Sequence, residues 1–184
     1  MKEIRFHGRG GQGVVKASQI IVKAAVMGGS HGQFIPFFGV ERKGSPVYGY
    51  LRLSENPIRR KTQIYEPDVI VIMDDSLAAM KETYAGLKEG GTVLINSRHS
   101  LEALNVPSWA GTVAAVDAGG IAEKLLGKNL PNTAMLGAFA EVVGLVDRTR
   151  LFEEIEDMFG KNNRMAAELA GESIKYLKGG SKNV

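Results

Sequence analysis

The sequence predicts an α/β fold: a single Rossmann-like domain with a mostly parallel sheet, helices on both faces of the sheet and a helical C-terminal third. An alternating strand, a glycine-rich turn and an amphipathic helix follow one another at the N-terminus. Continuous apolar runs at 68–74 and 92–96 are typical of strands buried on both faces in a parallel sheet. The length of 184 residues fits one domain with one core.

The first half of the chain is predicted to be rich in strands. Charged and apolar side chains alternate over 2–6, and over 47–53 two tyrosines and an arginine alternate with apolar residues and a glycine. Each segment is therefore predicted to be a strand, the second with one polar face. Apolar residues recur at intervals of three and four over 14–27, as in a helix packed on a sheet. The order strand, glycine turn, helix indicates the opening of a nucleotide-binding βαβ unit. The remaining predicted strands are a short one near 33–35 and the segments 68–74, 92–96 and 112–117.

The second half is predicted to contain most of the helices. Asp75 or Ser76 is expected to cap a helix over 77–88, which a glycine pair ends. We expect one domain over 1–178 and a frayed polar tail over 179–184. The other predicted helical segments are 121–126, 133–146 and the apolar stripes within 151–159 and 166–177.

The residue inventory excludes several kinds of site. The chain has no cysteine, so by itself it provides no disulfide, thiolate nucleophile or cysteine-ligated iron–sulfur cluster. Its three histidines lie far apart in the sequence, which argues against a histidine-rich metal site. The aliphatic run 69–73 is too short to cross a bilayer, and no secretion signal is recognisable, so we expect a cytoplasmic protein with no membrane partner.

Charge is distributed unevenly along the chain. Residues 1–61 hold 11 basic and 3 acidic side chains, a net charge of +8, whereas the rest holds 12 and 17, a net charge of −5. This asymmetry indicates that the N-terminal third faces an anion: a phosphorylated ligand, a nucleic acid or an acidic protein surface. Chance clustering of solvated side chains is an equally weighted alternative.

A glycine-rich loop joins the first predicted strand to the first helix. Gly8, Gly10 and Gly13 match G-x-G-x-x-G in the context in which this pattern binds nucleotides. Glycines let the backbone approach a ligand, and the N–H groups and dipole of the helix N-terminus favour an anion. The alternative is that the glycines only permit a tight turn and close helix packing. We favour contact with an anion or cofactor, and the candidates are Gly8, Gly10, Gly11, Gln12 and Gly13, with charge from Arg9 and Lys16.

A classical NAD site lacks one of its parts. Such a site needs an acidic residue about 20 positions after the loop to bind the ribose hydroxyls. No acidic residue lies between Gly13 and Glu41. NADP stays formally open, with His31 as the only basic candidate in that region. A phosphate-bearing ligand other than a dinucleotide fits better.

The segment FFGVERKGSPV mixes aromatic, acidic and basic residues ahead of a predicted strand, which is more than a connection needs. Glu41 either pairs with Arg42 or Lys43 and stiffens the loop, or orients a basic residue toward phosphate. Phe37 and Phe38 are either core residues or a subunit contact, and core is the favoured interpretation.

Two further polar positions have both a structural and a functional interpretation. Asn132, in PNTAMLGAF, is a good N-cap for a helix that begins at Thr133, and ligand contact is the less favoured alternative. Asp74 and Asp75 follow a predicted parallel strand at the carboxyl edge, where open α/β sheets bind ligands. Capping is the favoured interpretation of these two carboxylates as well.

The motifs GRGGQGVVKAS, FGVERKGSPV and PNTAMLGAF together resemble, in order and spacing, the gamma subunit or gamma domain of the 2-oxoacid:ferredoxin oxidoreductases, the pyruvate synthase group. The resemblance extends through Leu177. Lys43 stands where members of the family often have Arg, and Ser45 where they often have Gly or Ala. The continuation Pro46–Val47 is more similar to the pyruvate and branched-chain 2-oxoacid branches than to the 2-oxoglutarate or indolepyruvate branches.

The resemblance implies a division of labour between subunits. Thiamine diphosphate with Mg and [4Fe–4S] clusters would be bound by the alpha, beta and delta subunits, which pass electrons to ferredoxin, and coenzyme A would take the acyl group. The gamma part would contribute to the coenzyme A region and to assembly, with no catalytic residue, no metal ligand and no activity of its own. The residues that would bind are Gly10, Gly11, Gln12 and Gly13 through backbone or amide contacts, and Arg42 and Lys43 through charge.

Two functions of other classes are the alternatives. A self-contained Rossmann oxidoreductase that binds NAD(P) is disfavoured by the missing ribose acid. A nucleic-acid-binding module would use Arg59-Arg60-Lys61, but Tyr48 and Tyr50 are the only aromatic residues interleaved for base stacking. We therefore expect no nucleic-acid partner.

Overall fold

The computed structural model describes residues 1–38 and 46–177. Its strands are β1 (Lys2–Arg9), β2 (His31–Phe38), β3 (Pro46–Ser54), β4 (Val69–Ile72), β5 (Thr92–Asn96), β6 (Thr112–Val116) and β7 (Lys175–Tyr176). Its α-helices are α1 (Val14–Met27), α2 (Ala118–Leu126), α3 (Asn132–Val143), α4 (Arg148–Phe159) and α5 (Lys161–Glu172). Three 3₁₀ turns lie at Asp75–Leu77, Lys81–Tyr84 and Leu101–Ala103.

All seven strands form one mixed sheet in the order β2-β3-β1-β4-β5-β6-β7. The central strands β1, β4, β5 and β6 pair in parallel, and both edges of the sheet end in antiparallel pairs. The fold class expected from the sequence is confirmed, because buried apolar strands alternate with helices that cover the sheet. None of the helices in the described part of the chain is long and apolar enough to cross a membrane.

The two faces of the sheet are covered differently. All five α-helices belong to one apolar cluster that includes Phe6 and Leu94 of the sheet. On the other face Ile70, Ile72 and Val93 pack against residues of the 3₁₀ turns and of the coil beside them. Helices therefore lie on both faces, but those on the second face are single 3₁₀ turns.

The predicted helix over 77–88 is wrong. The segment folds into two short 3₁₀ turns because side chains take up backbone carbonyls that a helix would use: Thr83 Oγ1 donates to the Leu77 carbonyl at 2.7 Å, and the Tyr84 hydroxyl donates to the Ala78 carbonyl at 2.9 Å. Gly86 then turns the chain with a φ of +75°, which ends any helical continuation.

The predicted βαβ opening is also wrong in its pairing. After α1 the chain enters β2 at the edge of the sheet, and β3 lies between β2 and β1, antiparallel to both. β2 exceeds the predicted segment 33–35 because all eight of its residues pair with β3. In a dinucleotide-binding unit the strand after the first helix pairs with β1 and carries the ribose-binding acid. Here that strand is β2, and β3 separates it from β1.

Three smaller predictions need correction. Phe37 is 42% exposed and does not belong to the core. The last helix ends at Glu172, before the stripe predicted to 177, and Lys175–Tyr176 pairs with β6. Residues 178–184, which include the predicted tail, lie outside the described residues.

Candidate functional site

The glycine loop between β1 and α1 is built on left-handed glycines. Gly11 has a φ of +96° and Gly13 a φ of +78°, a region that side chains with a Cβ rarely adopt. Gly13 stands at the N-cap of α1, and its carbonyl accepts the first helical hydrogen bond, from Ala17 N–H, at 2.9 Å. A Cβ at Gly13 would lie 2.7 Å from Nδ2 of Asn132, so the loop rests directly on the start of α3.

Gly8, a predicted site residue, serves packing in this structure. It belongs to β1, and a Cβ on it would lie 2.5 Å from Cγ2 of Val14. The absence of a side chain therefore lets the first turn of α1 approach the end of β1. The observed geometry of Gly8 agrees with the alternative interpretation, in which the glycine permits close helix packing.

The side-chain amide of Gln12 is directed toward the end of β4. Its Oε1 accepts from the Arg9 backbone N–H at 2.8 Å, and its Nε2 donates to Oδ2 of Asp74 at 2.7 Å. Asp74 Oδ1 accepts from Ser76 N–H at 3.1 Å, so the predicted capping by Asp74 occurs, at a 3₁₀ turn. The predicted cap at Asp75 or Ser76 is wrong, because both residues belong to the turn itself. Gln12 thus holds the loop in shape.

Charge around Asp74 favours its ionised form. Although burial opposes ionisation, hydrogen bonds from Ser76 and Gln12 and the positive charge of Arg9 lower the pKa of Asp74. Arg9 Nη2 donates to Ser76 Oγ at 2.6 Å, and Arg9 Nε lies 3.5 Å from Asp74 Oδ2. The end of β1, the glycine loop and the end of β4 form one hydrogen-bonded unit.

A cavity of about 920 Å³ opens beside this loop. The first turns of α1, α3 and α5 all line it, so three helix N-termini with positive dipole ends meet at one space. Its basic side chains are Arg9, Lys16, Lys128 and Lys161, and none of the described lining residues is acidic. Leu125, Leu126, Leu130 and Phe159 contribute an apolar wall.

The predicted site residues separate into two groups. Gly10, Gly11 and Gly13 line the cavity, whereas Gly8 and Gln12 do not. Arg42 and Lys43 lie outside the described residues, although Val47, four residues after Lys43, lines the cavity.

Asn132 is not the helix cap that the sequence predicted. Pro131 occupies the N-cap position, its carbonyl accepts from Met135 N–H at 2.8 Å, and Asn132 is the first helical residue. Proline presets the helical φ, so the helix begins one residue earlier than the pattern suggested. Asn132 instead packs on Gly13 and lines the cavity, which makes it a candidate for ligand contact.

Sequence reasoning missed the far side of the cavity. Lys128 follows α2, and Phe159, Lys161 and Asn163 lie at the junction of α4 and α5, far from the loop in sequence. The signal was present in the run after Gly160, where a basic and two amide residues open a helix. In the described part of the chain no three His, Asp or Glu side chains are grouped to hold a metal ion.

The chain is similar to proteins of known function over nearly its whole length. The model of the pyruvate ferredoxin/flavodoxin oxidoreductase family matches residues 3–180. The pyruvate synthase subunit PorC of Methanothermobacter marburgensis is 44% identical over 96% of this chain and 99% of that protein. The common gamma subunit of the pyruvate/ketoisovalerate oxidoreductases of Thermococcus kodakarensis is 48% identical over 92% and 95%. The crystal structure of the pyruvate oxidoreductase subunit PORC of Thermotoga maritima superposes with a TM-score of 0.84 at 32% identity, covering 96% of this chain and 98% of that one.

Family match, relatives and fold agree with the resemblance carried by the three motifs. They support a subunit of a multi-subunit oxidoreductase and neither of the two alternatives, the self-contained NAD(P) enzyme and the nucleic-acid-binding module. The chain belongs to the pyruvate ferredoxin/flavodoxin oxidoreductase family, as a gamma subunit of a pyruvate/2-oxoacid:ferredoxin oxidoreductase.

Proposed function

We propose that the cavity beside the glycine loop binds the phosphate groups of coenzyme A in the assembled oxidoreductase. The observation that carries this proposal is the meeting of three helix N-termini with four basic side chains at one cavity. Gly10, Gly11 and Gly13 bring the backbone to its rim. Residues 1–178 act together as the gamma domain.

The residues present fit this ligand. Coenzyme A carries a diphosphate and a 3′-phosphate, which suit backbone N–H groups and lysine side chains, because both donate hydrogen bonds and the lysines also carry positive charge. Its adenine and pantetheine parts suit the apolar wall that Leu125 and Phe159 help to form. Asn132 adds a side-chain amide to the cavity lining. Arg42 and Lys43, which precede the lining residue Val47 in the sequence, are proposed to add further charge.

The chemistry of the reaction belongs to companion subunits, which we propose to be alpha, beta and delta subunits in the cytoplasm. Thiamine diphosphate with Mg supplies decarboxylation when bound there, and [4Fe–4S] clusters supply single-electron transfer to ferredoxin. This chain has no cysteine with which to ligate a cluster. Its own residues bind and orient the acyl acceptor and support assembly. The 2-oxoacid is pyruvate or a branched-chain 2-oxoacid, as the names of the relatives suggest.

Removal of the cavity's charge tests the proposal. In the purified complex, Lys16→Ala combined with Lys161→Ala should raise the KM for coenzyme A about tenfold, since each lost contact with phosphate costs roughly 0.5–1 kcal/mol. The KM for the 2-oxoacid should stay unchanged. Lys81→Ala, at an exposed lysine on the opposite face of the sheet, is the control. Unaltered coenzyme kinetics in the double variant would exclude this cavity as the coenzyme site.

The dependence on companion subunits is tested separately. The chain purified alone should show no 2-oxoacid-dependent reduction of ferredoxin, and the chain isolated from its native cell should bring with it subunits that bind thiamine diphosphate and clusters. Turnover by the isolated chain, or its recovery without such partners, would contradict the proposed division of labour.

A further inference from the structure

The first two residues of α3 contact the two sides of the cavity. Asn132 packs on Gly13 of the glycine loop, as described above. Thr133 is 1% exposed, and its Oγ1 donates to Oδ1 of Asn163, on α5, at 2.9 Å. The start of α3 therefore lies between the loop and the N-terminus of α5 and touches both.

Asn163 connects this contact to the end of α4. Its Nδ2 donates to the carbonyl of Phe159, the last residue of α4, at 2.9 Å. Gly160, with a φ of +85°, is the single residue between α4 and α5. Phe159, Gly160, Lys161 and Asn163 all line the cavity. The position of Asn163 therefore bears on both the apolar wall and the lysine that opens α5.

The helices α3 and α5 cross closely one turn farther from the cavity. A Cβ at Gly137 would overlap the carbonyl oxygen of Ala167, so the two backbones touch there. Gly137 is four residues after Thr133, and Ala167 is four residues after Asn163, so both pairs lie on the same interface between the helices. A crossing contact holds two helices together at one point, and a second contact is needed to fix the angle between them. The hydrogen bond from Thr133 to Asn163 supplies that second contact at the ends that face the cavity.

The N-termini of α3 and α5 carry N–H groups that no side chain of the described chain caps. The helices α2 and α4 differ, because Asp117 and Asp147 accept from N–H groups in their first turns. Uncapped N–H groups at a cavity can bind a phosphate group only where the helix end is held at the right distance from it. The contact that fixes the start of α5 is therefore expected to affect binding.

We propose that Thr133 is a positioning residue for coenzyme A. Its hydroxyl acts through Asn163 and holds the N-terminus of α5 where Lys161 and the backbone N–H groups meet a phosphate group. Thr133 is not among the described residues that line the cavity, so it acts without touching the coenzyme. The inference rests on the proposed function of the cavity and adds the residue that keeps its far side in place.

Removal of the hydroxyl alone tests this role. In the assembled oxidoreductase, Thr133→Val keeps the shape of the side chain and should raise the KM for coenzyme A about fivefold, because one hydrogen bond that fixes the site is lost. The kcat at saturating coenzyme A and the KM for the 2-oxoacid should stay unchanged. Thr83→Val is the matched control, because Thr83 is 4% exposed and its hydroxyl also donates, at 2.7 Å, to a carbonyl on the other face of the sheet. Equal KM values for coenzyme A in the two variants overturn the proposal.

A serine variant separates positioning from stability. Thr133→Ser loses a buried methyl group and keeps the hydroxyl, so its free energy of unfolding should fall while its KM for coenzyme A stays within about twofold of the parent. If Thr133 had only a structural role, the KM values of the serine and valine variants would follow their free energies of unfolding. That result would overturn the proposal.

Substitution of Asn163 shows whether the effect passes through this residue. Asn163 is half-buried, so Asn163→Ala tests the same contact even if Thr133→Val prevents assembly. Asn163→Ala should raise the KM for coenzyme A at least as much as Thr133→Val, and the two substitutions together should raise it no further. A parental KM in Asn163→Ala, or additive effects of the two substitutions, would contradict the positioning role.

The lysine variant of the proposed function distinguishes the two possible failures. If Lys16→Ala with Lys161→Ala raises the KM for coenzyme A while Thr133→Val matches Thr83→Val, only the positioning role of Thr133 is wrong. If the lysine variant has unaltered coenzyme kinetics, the cavity is not the coenzyme site and both proposals are wrong.

Discussion

Gln12 and Asp74 are joined by a 2.7 Å hydrogen bond from the amide Nε2 to the carboxylate Oδ2. The first residue belongs to the glycine loop and the second follows β4, so the contact ties together the ends of two neighbouring parallel strands. Because the same amide accepts from the Arg9 backbone, the loop conformation and the charge of Asp74 depend on each other. The rim of the cavity is thereby held before any ligand arrives.

Loss of the Gln12 amide should raise the pKa of Asp74. A donor to the ionised carboxylate is removed by Gln12→Ala, so the charged form loses stabilisation. The lowered pKa contributes stability that is present above the unfolded value and lost as pH falls through the folded value, so acid should loosen the loop of Gln12→Ala at a higher pH. NMR titration of the Asp74 carboxyl carbon measures the change, with Gln63→Ala as the control at an exposed glutamine. An unchanged pKa of Asp74 in Gln12→Ala would mean that the amide does not stabilise the carboxylate.

Two alanine substitutions in the loop should differ in cost. Gly11→Ala meets only backbone strain, because no atom lies within 4 Å of the added Cβ, and should cost about 1 kcal/mol. Gly13→Ala adds a clash with the Asn132 side chain and should cost roughly 2–4 kcal/mol. Denaturant unfolding measures both free energies. Addition of Asn132→Ala should recover the part of the cost due to the amide group and leave the closer approach to the Cβ of residue 132, at 3.0 Å. Equal costs for the two single variants would refute the contact.

The buried His7 should make folding stability depend on pH. Burial and the charge of Arg5 lower the pKa of His7 to about 3. Between this pKa and the pKa near 6.5 of a histidine in the unfolded chain, the unfolded chain binds a proton at His7 and the folded chain does not. Stability should therefore fall as pH decreases from about 6.5 toward 3, by roughly 3–5 kcal/mol from this residue. His7→Gln should remove most of that slope in denaturant unfolding. His31→Gln, at an exposed histidine, is the control, and identical slopes in the two variants would disprove the assignment.

The basic pair after Glu41 should affect coenzyme binding and not oxoacid binding. Arg42→Ala with Lys43→Ala is expected to raise the KM of the assembled enzyme for coenzyme A severalfold, because two positive charges near phosphate are lost. The KM for the 2-oxoacid should be unaffected. Steady-state kinetics measure both constants, and Lys81→Ala with Lys175→Ala, at two exposed lysines that do not line the cavity, provides a control with the same loss of charge. A change in the KM for the 2-oxoacid alone would show that Arg42 and Lys43 have a different role.

Local patterns predicted much of the fold. The apolar runs that became β4, β5 and β6 were recognised because a strand buried on both faces must be continuously apolar. The helix 77–88 was not predictable in the same way, since Thr83 and Tyr84 fold their hydroxyls onto carbonyls within the segment, a choice that sequence spacing does not reveal. The pairing of β2 with β3 likewise depends on a contact across the connection between them.

The sequence by itself determined the family, the class of fold and one side of the candidate site, because glycines at a strand-to-helix turn and runs of apolar residues act over neighbouring positions. Only the tertiary structure decided which groups meet there. It turned the Gln12 amide toward Asp74, brought Asn132 onto Gly13 and placed Lys161 across the cavity from the loop. These contacts join residues about 60 to 150 positions apart, and packing of α1, α3 and α5 on one face of the sheet is what brings them together.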